Sequence, residues 1–381
     1  MRSFSIAACI YAALAIAVTW PLAARLGAEM PEGGDNLYIG WALAWVAHAA
    51  VSSPLDLFDG NIFYPAAFSL AYSDPNVSSG ILLAPIYLLL RDPALSVNLL
   101  LLGSFLLCGL SAYALARDWT GSERGALAAG IFFAFSPMRL SHLDHIQLYA
   151  FWWTPLGLYF ADRFLRKGRA RDLLLAAGAI SLQAYASLYL AAFGFAAVLL
   201  LFLLAAVTGR VGIAWRRLAA TSLAATFLAA LLCLPLAYAY GSVNRTWATE
   251  RGIEECLRYS ASPLAYLSAP SRSIVWGAAL GGFADPVAPW EKLLFPGAVP
   301  LVLAALGVAR ERRSWILRYG IALAIVCAVL SLGPYLLWRG DNTGWPLPYL
   351  AAYHWLWPIR ALRAPARWGL AASLGLALAA G

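Results

Sequence analysis

Residues 33–51 read GGDNLYIGWALAWVAHAAV, and the interpretation of the whole chain starts from this stretch. Two glycines and the polar pair Asp35 and Asn36 precede an apolar run from Leu37 to Val51 with the pattern of a helix. A polar and aromatic segment follows and continues to Asp74. This stretch comes soon after the first hydrophobic segment. The first questions are therefore on which side of the membrane it lies and what role its acidic residues have.

The composition predicts an integral membrane protein. The chain has 381 residues, of which 62% are hydrophobic and only 12% are charged, and its mean hydropathy is +0.71. A soluble domain carries about 25% charged residues, so this chain cannot cover itself with polar surface in water. The net charge of +8 does not indicate a nucleic-acid partner, because the arginines lie between apolar runs and not on one soluble face.

Apolar windows predict an all-α, polytopic transmembrane bundle of about ten spans that forms a single domain over residues 1–381. Several windows are shorter than the roughly 20 residues that a span needs, so their ends must extend into flanking polar residues. The last window is still apolar at Gly381, so we expect a C-terminally truncated chain with further helices missing. The windows lie near 4–22, 95–116, 124–136, 147–162, 172–188, 190–208, 218–240, 294–309, 319–337 and from 368 onward.

The basic residues predict a cytoplasmic N-terminus, because the short loops that then face inward are rich in lysine and arginine. Five basic residues between Arg163 and Arg171 give the strongest signal. The segment Ile81–Leu90 is too short to span alone, so we interpret it as a juxtamembrane or re-entrant helix. A bacterial inner membrane is the expected location, and we expect the functional site to lie in the loops that face the periplasm or exterior. The outward loops are then 23–94, 137–146, 241–293 and 338–367.

Asp35 has two interpretations that its spacing leaves open. Asp35 or Asn36 would cap the helix that follows, its oxygen accepting free N–H groups of the first turn. Alternatively, a carboxylate just above the bilayer, beside a glycine turn that allows close approach, would act as a general base.

Other polar side chains of the outward loops are candidates for binding. Asp59 and Asp74 offer oxygen ligands for a divalent cation, but their spacing matches no defined loop and turn chemistry explains it equally well. His142 and His145 lie three residues apart and share a face if helical, although a zinc site would need more ligands. We therefore predict no metal ligand, and leave open whether a divalent cation acts as cofactor.

Arginines and aromatic residues occur together in the last two outward loops. Loop 241–292 contains Arg258 among tyrosines and tryptophans, a mixture that suits a phosphorylated glycolipid and also an ordinary interfacial loop. Arg360, Arg363 and Arg367 lie just outside a span, against the usual charge bias. An anionic lipid headgroup is the natural reason for them.

This arrangement resembles the GT-C superfamily of polytopic glycosyltransferases, which includes the protein O-mannosyltransferases and the aminoarabinose transferases acting on lipid A. The resemblance lies in a long first outer loop with an early acid, Asp35, with juxtamembrane helices at 37–51 and 81–90, and with a large later loop at 241–292. The family often has a paired acidic motif where this chain has Asp35 and Asn36. The phrases GDNLYIGWALAW, LFDGNIFYP, FSPMRLSHLDHIQL and ALRAPARW resemble those of bacterial membrane proteins placed near this superfamily.

The resemblance implies an inverting transferase that moves a sugar from polyprenyl phosphate to a membrane lipid or envelope glycan on the outer face. Asp35 would take the proton from the acceptor hydroxyl, and the outer arginines would stabilise the phosphate leaving group. The alternatives are a transporter or flippase of a lipid-linked saccharide, which would place charges near the midplane, and a non-catalytic GT-C-like protein. The candidate substrate-binding residues are Asp59, Asp74, Arg139, His142, Asp144, His145, Arg258, Arg360, Arg363 and Arg367.

Overall fold

The computed structural model describes every residue except Met1, Arg272, Ala284 and Pro286. The chain is mostly helical, as predicted. The helices are α1 Arg2–Val18, α2 Gly34–Ser52, α3 Val77–Leu90, α4 Pro93–Thr120, α5 Glu123–Ala134, α6 Pro137–Leu140, α7 Trp153–Lys167, α8 Ala170–Ala186, α9 Leu188–Val207, α10 Trp215–Trp247, α11 Ile253–Arg258, α12 Gly277–Leu280, α13 Ala298–Glu311, α14 Trp315–Ser331, α15 Pro348–Trp355 and α16 Gly369–Ala380.

A two-stranded antiparallel hairpin corrects the all-α prediction. It consists of β1, Tyr335–Trp338, and β2, Asp341–Pro346. The two residues between the strands, Arg339 and Gly340, have φ values of 53° and 93°. Two positive φ values in succession match the strand twist in a two-residue hairpin turn. The chain therefore reverses direction at Arg339 and Gly340 as a hairpin.

Within the described residues, three helices are long and apolar enough to cross a membrane. They are α4, α9 and α10, which correspond to the predicted windows 95–116, 190–208 and 218–240. Three shorter apolar helices are α1, α3 and α14, and α3 contains the segment interpreted as juxtamembrane. Membrane-spanning helices are therefore supported, whereas the bundle of about ten spans stays a prediction.

The chain divides into two compact units, each built from two segments. Unit 1 comprises Met1–Asp118 and Leu143–Ala248, and unit 2 comprises Trp119–His142 and Thr249–Gly381. In unit 1, α7 packs on α8 and α9, α8 packs on α10, and α2 packs on α3. The loop between α2 and α3 joins an apolar cluster with α2 and α10 that includes Val46, Leu70 and Leu236.

Helix α16 is the core of unit 2. Its residues are small or apolar, and every one from Gly369 to Ala379 is buried against neighbours that include α14, α5 and α13. A Cβ added at Gly375 would lie 2.6 Å from the carbonyl oxygen of Gly320 on α14. The two backbones can therefore approach this closely only because both positions are glycine. A helix that is apolar on all sides is expected to be enclosed in this way.

Candidate functional site

The first turn of α2 presents Asp35. The residue before this helix is Gly33, and no side chain caps the free N–H groups, so the capping interpretation of Asp35 and Asn36 is wrong. The Asp35 side chain is 56% exposed. Its carboxylate is therefore available to a ligand from solvent.

Asn36 is fully buried and holds the segment 143–146 against the start of α2. Its Nδ2 donates to the carbonyl oxygens of Pro31 and Leu143, both at 3.0 Å. Its Oδ1 accepts from the backbone N–H of Ile146 at 3.5 Å. One amide thus joins two segments that lie more than a hundred residues apart in sequence.

Gly33 allows the same two segments to come together. A Cβ added at Gly33 would lie 2.7 Å from the Cβ of Asp144 and 3.0 Å from its Cα, which is closer than real Cβ contacts. The φ of Gly33 is 137°, in a region that other residues rarely adopt. Only glycine therefore fits where the backbone passes Asp144.

The consequence is a group of three side chains that we call the Asp35 cluster: Asp35, Asp144 and His145. His145 Nε2 lies 3.5 Å from Asp35 Oδ2, and His145 Nδ1 lies 3.7 Å from Asp144 Oδ1. The imidazole is largely buried, whereas both carboxylates are accessible. An accessible carboxylate beside an imidazole is a suitable proton acceptor. The structure thus brings three of the predicted site residues together.

Asp59 and Asp74 instead hold the backbone of unit 1. Asp59 Oδ1 accepts from the N–H of Phe68 at 2.7 Å, and Asp74 Oδ1 accepts from the N–H of Leu188 at 2.9 Å. Over the part of the chain that the structure describes, no group of three His, Cys, Asp or Glu side chains could hold a metal ion. These contacts give Asp59 and Asp74 a structural role in positioning the loop between α2 and α3.

Unit 2 contains a buried ionic group of Glu291, Arg367 and His142. Arg367 donates to Glu291 from Nε at 3.0 Å and from Nη2 at 2.5 Å. His142 Nε2 lies 3.6 Å from Glu291 Oε2, and His142 Nδ1 lies 2.9 Å from the carbonyl oxygen of Met138. Burial acts to raise the pKa of Glu291, but the charge and the hydrogen bonds of Arg367, together with the nearby His142, hold it well below its usual range.

A second buried pair in unit 2 consists of Lys292 and Asp285, whose charged atoms lie 3.3 Å apart. Burial lowers the pKa of Lys292 from its ordinary value, and Asp285 offsets only part of this effect. Arg139 is also buried, with its guanidinium 5.4 Å from the centre of the Phe133 ring. Asp285, Glu291 and Lys292 were not predicted as site residues from the sequence. The available signal was that an arginine inside an apolar chain needs an acidic partner.

The four candidate arginines at positions 258, 360, 363 and 367 fall into two classes. Arg367 pairs with Glu291, and Arg360 lies 3.5 Å from Glu250 while donating to two carbonyl oxygens near the end of α15. By contrast, the guanidinium groups of Arg258 and Arg363 lie 6.0 and 4.9 Å from the centre of the Tyr259 ring. No carboxylate among the described residues lies within ion-pair distance of either.

These observations define a mostly helical protein with apolar helices able to cross a membrane and with an accessible acid–histidine cluster. The chain belongs to the family described as domain of unknown function DUF6311, which it matches over residues 6–377. Comparison with the curated proteins gave no match, and comparison with the solved structures gave none either.

Proposed function

We propose that this protein is a membrane glycosyltransferase similar to the GT-C superfamily, in which Asp35 is the general base. It would transfer a sugar from polyprenyl phosphate to an acceptor hydroxyl at the outer face of a bacterial inner membrane. The observation that carries the proposal is the Asp35 cluster, in which Gly33 and Asn36 hold an accessible carboxylate against His145. The topology follows from the basic inward loops.

The chemistry is a single displacement. The acceptor oxygen attacks the anomeric carbon while its proton passes to Asp35, and the bond between that carbon and the phosphate oxygen breaks. The phosphate leaves with the bonding electron pair, and attack from the opposite face inverts the anomeric configuration. His145 would orient Asp35, since its Nε2 faces Oδ2. The amide of Asn36 is used to hold segment 143–146, which accounts for the presence of Asn36 after Asp35, where the GT-C superfamily often has a second acid.

Arg258 and Arg363 of unit 2 are our candidates for binding the phosphate of the donor. Both lie against Tyr259, and neither has a carboxylate partner among the described residues. Guanidinium groups suit phosphate because their N–H groups can form two parallel bonds to its oxygens. Arg360 and Arg367, the other two predicted arginines, are engaged by Glu250 and Glu291.

The test is Asp35→Asn, which keeps the shape of the side chain and removes the base. Purified protein in lipid nanodiscs would receive a polyprenyl-phosphate sugar and membrane extract as the acceptor source, and mass spectrometry would measure released polyprenyl phosphate. We expect the rate to fall about 100-fold or more. The exposed Asp56→Asn variant is the matched control and should keep the wild-type rate.

Undiminished release by Asp35→Asn would refute the base assignment. In sealed proteoliposomes, movement of intact donor across the bilayer without cleavage would refute transfer and favour a flippase. Replacing Arg258 and Arg363 together by glutamine should raise the KM for the donor more than it lowers kcat, because the substitution removes phosphate contacts and not the base.

A further inference from the structure

The tip of the first outer loop in unit 1 is rigid but exposes aromatic side chains. Residues 58–72 form hydrogen bonds with one another and with α2, and these bonds hold the tip in one conformation. A Cβ at Gly60 would lie 2.7 Å from the Trp41 ring and 2.8 Å from Ser69 Oγ, so the packing at its base is close. The hydrogen bonds run from Phe68 N to Asp59 Oδ1, from Ser69 Oγ to Gly60 O, from Trp41 Nε1 to Asn61 Oδ1 and from Leu70 N to Phe58 O.

Phe63 is held in a strained conformation at this tip. Its φ is 63°, a value that is an outlier for a bulky side chain, and its side chain is nevertheless 58% exposed. Its ring stacks on Tyr72, with centroids 5.7 Å apart and an interplanar angle of 17°. Strain of this kind persists where the surrounding structure enforces it and is concentrated at ligand sites. Burial of the Phe63 ring in the core does not explain it.

Two further aromatic side chains extend the surface. The Tyr72 hydroxyl accepts a hydrogen bond from Trp247 Nε1 at 2.9 Å, and Trp247 is 61% exposed. Tyr64, next to Phe63, is 96% exposed. We propose that Phe63, Tyr64, Tyr72 and Trp247, which we call the aromatic platform, bind a saccharide chain.

A saccharide fits the chemistry of this surface better than lipid does. Flat aromatic faces pack against the C–H face of a sugar ring, and their polar tips remain able to hydrogen-bond. Asp59 and Asn61 are exposed at the same tip and offer oxygen acceptors to sugar hydroxyls. The Asp59 carboxylate at the tip opposes its insertion into hydrocarbon, because a buried charge is costly there.

The platform lies within reach of Asp35. Trp41, which binds Asn61 at the tip, lies six residues after Asp35 on α2, or about 9 Å along the helix axis. A saccharide on the platform would therefore extend toward the Asp35 cluster. The identification of this saccharide as the acceptor rests on the proposed function, whereas the binding of a saccharide to the platform does not.

The experiment compares saccharide binding by the wild type and four variants in nanodiscs. The probes are immobilised oligosaccharides of glucose, galactose, mannose, rhamnose and N-acetylglucosamine, and binding is followed by biolayer interferometry. Phe63→Gly removes the ring and relieves the backbone strain, because glycine adopts positive φ freely. It should bind at least about tenfold more weakly while its melting temperature stays equal or rises. Tyr64→Ala should also bind more weakly, and Phe195→Ala, which removes an exposed ring on α9, should bind as the wild type does.

Wild-type protein that binds none of the probes, or Phe63→Gly and Tyr64→Ala variants that bind as tightly as the wild type, would overturn the inference. So would quenching of a fluorophore at position 64 by spin-labelled lipid, which would identify the platform as a lipid anchor. Asp35→Asn separates the two proposals. This variant should lose transfer activity and still bind the saccharide. If the wild type binds the saccharide but shows no transfer activity, the proposed enzyme function is refuted and the binding inference stands.

Discussion

Asn36→Asp replaces one amide by a carboxylate at a fully buried position, and it would give the chain the paired acidic motif often found in the GT-C superfamily. The resemblance alone predicts a harmless or beneficial change. The structure predicts the opposite, because Nδ2 donates to the carbonyl oxygens of Pro31 and Leu143 at 3.0 Å. A carboxylate would place negative charge against both oxygens and would no longer hold segment 143–146.

The size of the effect follows from the lost contacts. Two hydrogen bonds contribute about 1 kcal/mol each, and the polar groups left without a partner cost about 1–3 kcal/mol more. A loss of about 3–5 kcal/mol is therefore expected for Asn36→Asp. At roughly 2–4 °C per kcal/mol, the melting temperature should fall by about 10 °C. His145 should lose its position beside Asp35 as well, so transfer activity should fall together with stability.

The assay is thermal unfolding of the purified protein in nanodiscs, followed by intrinsic fluorescence, with donor cleavage measured on the same samples. Asn61→Asp is the matched control. Asn61 is exposed and its Oδ1 only accepts a bond from Trp41, so a carboxylate preserves the contact and the melting temperature should stay within about 1 °C. An Asn36→Asp protein that melts with the wild type and remains active would refute the assigned role of the amide.

Two further predictions concern stability, and a third concerns donor cleavage. The pKa of the Glu291 carboxyl is lower in the folded chain than in the unfolded chain. Ionised Glu291 therefore stabilises the fold fully above the unfolded pKa of about 4.3, and this stabilisation is lost as pH falls through the folded pKa. Glu291→Gln should make the melting temperature less dependent on pH below about pH 4.5, as measured by thermal unfolding over a pH series. Arg367→Met should cost about 3–5 kcal/mol in denaturant unfolding by leaving Glu291 buried without its main partner, and the double variant Glu291→Leu/Arg367→Met should recover part of it. Gly33→Ala should prevent close approach to Asp144 and reduce donor cleavage at least about tenfold, whereas alanine at Gly34, where a Cβ would meet nothing within 4 Å, should not.

The long apolar helices could be predicted from the sequence because hydropathy and length are local properties. Helices α4, α9 and α10 fall on three of the predicted windows. The hairpin could not be predicted in this way, because Tyr335–Trp338 is apolar and continues the window 319–337. Its turn depends on a positive φ at Arg339. Arginine rarely adopts a positive φ, so its presence in the sequence does not indicate such a turn.

Each residue of the Asp35 cluster was predicted as a site residue from the sequence, but the contact between them was not predicted. Asp35 and His145 are 110 residues apart, and no periodicity links the start of α2 to a loop that distant. Their contact depends on the direction of the Asn36 amide and on the absence of a side chain at Gly33. Both are properties of the folded chain, so Asn36 looked like a departure from an acidic motif and not like the group that builds the site.

The arginines show why residue type alone could not separate structural from binding roles. A guanidinium in an apolar chain is costly unless an acid neutralises it, so a buried arginine with a carboxylate, such as Arg367, is accounted for by the fold. Arg258 and Arg363 are more exposed and lie on one tyrosine ring without a carboxylate among the described residues, so water or an anionic ligand must satisfy their N–H groups. Two positive charges beside the same ring also repel each other, and a bound phosphate would offset that repulsion. Inorganic phosphate should therefore raise the melting temperature of the wild type, and should do so less when both arginines are replaced by glutamine.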